Sequence, residues 1–145
     1  MGGRMRPDYL LDTNVISEFT KRVPNPAIIK KVMENDGLCA ICSTVLQESV
    51  YGLEIMPEGK RKQIVKECIH DIEESCEIIP YNDFAAKICG EIRARCKKAG
   101  NPAPFYDSQI AATAIANNMI LITHNTEDYA ALAENSMLQM EDWWE

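Results

Sequence analysis

Apolar positions along the chain fall into two alternating patterns, short unbroken runs and runs at helical spacing. "YLL" (9–11) is a brief apolar run that ends on a carboxylate at Asp12 and turns straight into "TNVISEF", where Val15, Ile16 and Phe19 keep helical spacing. "NPAIIKKVMEN" (25–35) carries Ile28, Ile29, Val32 and Met33 on a helical period, with Pro26 suited to a first turn. "LCAIC" (38–42) is a continuous apolar run, as in a strand covered on both faces. "STVLQESVYGLE" (43–54) opens on a Ser or Thr cap and sets Leu46, Val50 and Leu53 on one face, with Glu48 off that face in the second turn. After "MPEGK", the segment 60–76 repeats Ile64, Val65, Cys68, Ile69, Ile72 and Cys76 at helical period, and "EII", closed by Pro80, reads as a short strand. A helix from Asn82 or Asp83 to about Lys98 is expected to bury Phe84, Ile88, Cys89, Ile92 and Cys96 and to stop at Gly100. "NPAPF" (101–105) is a stiff loop before a small-residue helix, 107–118, which leads into a buried strand, "MILIT" (119–123).

Strands that alternate with helices, each strand short and apolar throughout, predict an α/β fold: a short, mostly parallel central sheet with helices on both faces. No repeat, linker or low-complexity segment interrupts the pattern, so a single domain over 1–145 is expected, with residues 1–7 as a flexible leader. With 145 residues and 46% hydrophobic content, the chain can bury one real core and not two. Nothing approaches the roughly 20 apolar residues of a membrane span, and the opening residues lack a signal-peptide core, so a cytoplasmic protein is expected. The six cysteines lie mostly beside aliphatic residues at inward positions and read as small core hydrophobes. "CAIC" has the two-residue spacing of a zinc or redox pair but lacks a second ligand pair.

The chemistry lies where the pattern is interrupted. In an open parallel sheet, ligands bind at the carboxyl ends of the strands. Asp12 ends the first strand, and an N-cap there would already explain it. Yet Glu48 follows the second strand, Asp107 opens the helix before the last strong strand, and Asn125 and Asp128 follow that strand in "THNTEDY". Capping alone would not bring these distant groups to one rim. Two carboxylates about 4 Å apart repel by roughly 4 kcal/mol at an effective dielectric of 20, so three together require protons or a divalent cation. Oxygen-only ligands select hard ions, Mg²⁺ or Mn²⁺, whose characteristic chemistry is hydrolysis of a phosphoester.

These residues sit in four ordered blocks: "LDTNVISE", "LQESVYGLEIMPEGKRK", "YDSQIAATAIANNMILITHNTEDY" and "MEDWW". In order and spacing they resemble the PIN-domain ribonucleases, and most closely the toxin subunits of virulence-associated, VapBC-type toxin-antitoxin pairs, from about Tyr9 onward. The resemblance implies a metal-dependent endoribonuclease. Asp12 and Asp107 would be its main metal ligands and Glu48 its helix-borne acid, with Mg²⁺ or Mn²⁺ as cofactor. Thr13, Asn14 and Thr123 would support the site through hydrogen bonds. The family's fourth acid falls at Asn125, which brings no charge, and Asp128 either compensates for it or caps the following turn. The resemblance further implies in-line attack that leaves a 5′-phosphate and a 3′-hydroxyl. The implied partners are an RNA substrate, a small antitoxin whose C-terminal segment lies over the site and often inserts an Arg among the acids, and a second copy of the chain.

The net charge of -7 opposes RNA binding, which depends on neutralising phosphates. Basic residues are nonetheless bunched, with Lys60, Arg61, Lys62 and Lys66 at one helix start and Arg93, Arg95, Lys97 and Lys98 at another helix end. Each group is either a solvated helix face or part of an RNA surface beside the acids. Two rival readings fit less well. A phosphate-transfer enzyme of the haloacid dehalogenase kind needs a second Asp at position 14, where this chain has Asn14. An interaction module that binds a partner through an acidic cleft gains nothing from mutually repelling carboxylates. Met33, Met56, Met119, Met137 and Met140 read as core or turn packing. Of the adjacent Trp143 and Trp144, one is expected to anchor the tail and the other to serve a subunit contact.

Overall fold

A computed structural model describes residues 7–145. The expected leader, Pro7 apart, lies outside the described residues. Five short strands form one sheet in the order β3-β2-β1-β4-β5: β1 (Tyr9–Leu11), β2 (Cys39–Cys42), β3 (Glu77–Ile79), β4 (Ile120–Ile122) and β5 (Met140–Glu141). Every described pairing is parallel, with Tyr9 opposite Cys39 on one side of β1 and Leu11 opposite Ile122 on the other. The helices are α1 (Thr13–Phe19), α2 (Pro26–Glu34), α3 (Ser43–Glu54), α4 (Lys60–Ser75), α5 (Asp83–Lys98), α6 (Phe105–Ala116) and α7 (Ala130–Glu134).

The chain steps outward from β1 through β2 to β3, then crosses back to β4 on the other side of β1. The strand order therefore reverses between β1 and β4, where an open α/β sheet has its ligand crevice. Leu10, Ile41, Leu121 and Ile122 are fully or almost fully buried, as expected of strands covered on both faces.

Several helix faces differ from the expected ones by one position. Helix α5 buries Ala85, Cys89, Ile92 and Cys96, a clean helical stripe, and leaves Phe84 exposed in the first turn. Val65 rather than Ile64 turns inward on α4, and on α3 Val45 and Leu53 are buried while Val50 is exposed. An adjacent apolar pair offers two candidate stripes, and only the neighbouring element decides between them. Met119 is buried, but Met33 and Met137 are exposed rather than packed.

Helix α6 begins at Phe105, with Pro104 as its cap residue, so Asp107 lies within the first turn rather than opening the helix. The short β5 and α7 were not expected, because two and five residues are too few for a periodic signal. Trp143 is buried edge-on to Tyr9 at 4.9 Å and anchors the tail. Trp144, half-buried, stacks on His124 at 4.8 Å and donates its indole N–H to Glu18.

All six cysteines are free, four buried and two half-buried. Burial pushes the Cys39 thiol up to about 12 and Cys42 to about 11, which suits packing rather than redox or metal chemistry. On a strand, positions three apart point to opposite faces, so these two cannot share one ion.

Candidate active site

Asp12 follows β1 and is the N-cap of α1, so the capping expectation holds. It does more than cap, because it is buried at the crevice and satisfied on both oxygens. Oδ1 accepts from the Thr13 backbone N–H at 2.8 Å and the Tyr129 hydroxyl at 3.0 Å. Oδ2 accepts from the Thr123 hydroxyl at 2.8 Å and the Asn14 side-chain amide at 3.1 Å. Burial raises its pKa and these donors work against that rise. Asn14, at the position where a dehalogenase-type enzyme needs an acid, here locks Asp12 and also reaches the Thr123 hydroxyl at 3.1 Å.

Glu48 comes to the same rim on α3, and its Oε1 accepts from the Thr13 hydroxyl at 2.6 Å. Asp107 arrives on α6, half-buried. Its carboxyl is pushed up to about 6, first by burial, then by the charges of Asp12 and Asp128, with a smaller push from Glu48 and a counteracting hydrogen bond from Tyr129. Four carboxylates contributed by separate parts of the chain therefore share one electrostatic site. Asp128 is exposed, and Asp107 feels its charge. Asn125 is also exposed and uses its backbone N–H to reach the Thr123 hydroxyl at 3.0 Å.

Tyr129 was missed in the sequence reading. It is fully buried at the start of α7, and burial with the charges of Asp12 and Asp107 pushes its pKa far up, so its hydroxyl stays a donor between them. The available signal was an aromatic directly after the acid-rich turn, too weak alone to assign a role.

The donor set fits a hard divalent cation: all its atoms are oxygens, and at neutral pH they repel one another. Among the described residues no three Asp, Glu, His or Cys side chains form a ready-made ligand group. The acids line an open rim, which suits an ion such as Mg²⁺ that takes one or two carboxylates and leaves positions for water and phosphate.

The basic groups divide. Arg61 turns towards the site and donates to the Thr20 carbonyl at the end of α1. Lys62 is paired with Glu58 at 2.7 Å, and Lys60 is exposed. Arg93 lies over the Phe105 ring at 5.1 Å, beside the start of α6, while Arg95 is exposed in the last turn of α5.

The chain matches the PIN domain family over residues 9–135. It is 29% identical to the tRNA(fMet)-specific endonuclease VapC of Shigella flexneri over 135 residues, covering 93% of this chain and 97% of the relative. It is 30% identical to toxin FitB of Neisseria gonorrhoeae, over 84% of this chain and 91% of FitB. Among solved structures, FitAcB from Neisseria gonorrhoeae superposes with a TM-score of 0.82 at 26% identity, covering 94% of this chain and 98% of that one. DNA-bound VapBC from Salmonella typhimurium gives 0.81 at 26% identity over the same shares. The sheet order, the crevice at its reversal and these matches together make the chain a member of the PIN domain family.

Proposed function

We propose that this protein is a divalent-metal-dependent endoribonuclease that acts in the cytoplasm as the toxin of a type II toxin-antitoxin pair. One observation carries the reading. Asp12, Glu48, Asp107 and Asp128 lie together at the sheet's switch point, where burial and then its neighbours' charges hold Asp107 up to about 6. The names of the similar VapC and FitB proteins support the activity and the toxin role.

Asp12, Asp107 and Glu48 would hold the cation, Mg²⁺ or Mn²⁺. Such an ion lowers the pKa of water and offsets charge on a phosphodiester. The chain's own residues supply the rest. Thr123, Asn14 and the Thr13 amide hold Asp12 in place and favour its ionised form against the burial that raises its pKa, and Thr13 orients Glu48 through its hydroxyl. Asp128, rather than Asn125, supplies the fourth charge. Tyr129 donates its hydroxyl to Asp12 and lies beside Asp107, adding to the donors that hold the two acids in place. RNA would approach along Arg61 and Lys60 on one side and Arg93 and Arg95 on the other, the paired Lys62 contributing less.

The partner we propose is a small antitoxin, as in the FitAB and VapBC complexes among the solved relatives, and a second copy of this chain would bring two sites together. An antitoxin cation placed among the acids would relieve the same repulsion as the metal.

The test is cleavage of a mixed RNA pool by the purified protein with Mg²⁺, with Mn²⁺ and with EDTA, alongside Asp12→Asn. Metal-dependent cutting that disappears in the variant is expected. Equal traces from both proteins in every condition would move the inactive interaction module to first place.

A further inference from the structure

Beside the acid rim is a cleft of about 260 Å³ between α1, α3 and α4, contiguous with it through Thr13 and Glu48. Its walls carry Ser17 and Thr20 from α1, Ser49 and Gly52 from α3, and Arg61 from α4, over an apolar floor that includes Ile16, Leu53 and Val65. Three features of these walls bear on what the cleft could hold. The Ser49 hydroxyl is a buried polar atom without a hydrogen-bond partner, a state that costs roughly 1–3 kcal/mol and calls for an occupant.

Gly52 is the second feature. It sits inside α3, where glycine costs about 0.5–1 kcal/mol relative to alanine, yet a Cβ there would meet nothing within 4 Å. Neither close packing nor a left-handed backbone requires a glycine. What the missing side chain does is leave the cleft wall open one helical turn from Glu48.

Arg61 is the third. It makes one hydrogen bond, to the Thr20 carbonyl, and among the described residues no acidic side chain pairs with it. A guanidinium with donors to spare at the mouth of a polar cleft suits a phosphate and repels a cationic peptide.

We propose that this cleft is a subsite for one ribose-phosphate unit of single-stranded RNA, next to the bond that is cut, a proposal that rests on the nuclease reading. Arg61 takes the phosphate, the Ser49, Ser17 and Thr20 hydroxyls meet the ribose, and the apolar floor takes the sugar's carbon face. The volume lies below the roughly 300–1,000 Å³ of pockets that enclose a whole ligand, consistent with part of a nucleotide.

Steady-state cleavage and fluorescence-anisotropy binding of a labelled RNA pool, with Mn²⁺, would be measured for the wild type, Gly52→Leu and Ser49→Ala. Melting temperatures would be recorded for all three. Gly52→Leu fills the cleft while favouring the helix, and Ser49→Ala removes an unsatisfied group, so both are expected to melt no lower than wild type. KM should rise about tenfold for Gly52→Leu and about fivefold for Ser49→Ala, the scale of a lost polar contact, with kcat changing much less. Wild-type cleavage that both variants match would overturn the subsite and leave the nuclease reading standing. A wild-type protein that neither cuts nor binds RNA would overturn both readings.

Discussion

Asp12 shows how one residue can be both structural and chemical. An Asp after a strand and before a helix is an ordinary cap, and the cap bond to Thr13 forms. Its further contacts come from positions 14, 123 and 129, which local sequence does not connect to it. Tyr129→Phe removes a donor to a buried carboxylate, a contact worth about 1.5–3 kcal/mol. We expect a lower melting temperature, a further rise in the Asp12 pKa and a higher Mn²⁺ concentration for half-maximal activity, all measurable by thermal and metal titration. Asp107 gives a pH dependence. Its pKa rises from 3.8 to about 6 on folding, so the folded chain binds that proton more tightly than the unfolded chain. Without metal, stability should therefore fall as pH rises through that window. In EDTA at pH 7, Asp107→Asn is expected to melt above wild type, and wild-type activity should drop below about pH 6 as protons compete with the cation.

At the scale of elements, helix ends were easier to read than helix faces. Gly100 ends α5 as its position suggested, at φ 79°, with its N–H donated to the Lys97 carbonyl at 3.0 Å and that of Asn101 to Cys96 at 2.9 Å. That left-handed backbone favours glycine over residues with an ordinary side chain, so Gly100→Ala should cost about 1 kcal/mol. The melting temperature should then fall by about 2–4 °C without a change in kcat. Faces were harder because Phe84–Ala85 and Ile64–Val65 each place two apolar residues side by side. The buried one of each pair is the residue that the rest of the fold covers, Ala85 and Val65, while Phe84 and Ile64 stay exposed. The start of α6 moved for a different reason. Pro104 serves as the residue before the first turn, which brings Phe105 and Tyr106 into the helix and places Asp107 two residues in, still within the first turn.

For the whole molecule, charge is the governing quantity. A chain with net charge -7 should bind RNA weakly until a cation occupies the acid rim. The same ion should stabilise the fold, because it binds the assembled site and not the unfolded chain. At about 100-fold its Kd the gain is about 2.7 kcal/mol, so Mn²⁺ should raise the melting temperature and EDTA reverse the rise. Asp12→Asn should abolish most of that shift in a thermal scan. No described helix is long and apolar enough to cross a membrane.

The strand and helix alternation, the parallel sheet and the acids at strand ends were legible from the sequence because they follow from local periodicity and the geometry of one topology. Asp12, Glu48, Asp107 and Asp128 could be named as candidates on residue type and position alone. Tertiary structure decided their relations. It set Tyr129 between two carboxylates, added the charge of Asp128 to that of Asp12 on Asp107, and turned Arg61 towards the cleft while pairing Lys62 elsewhere. Those outcomes depend on distances between segments as many as 117 residues apart, and local periodicity carries no record of them.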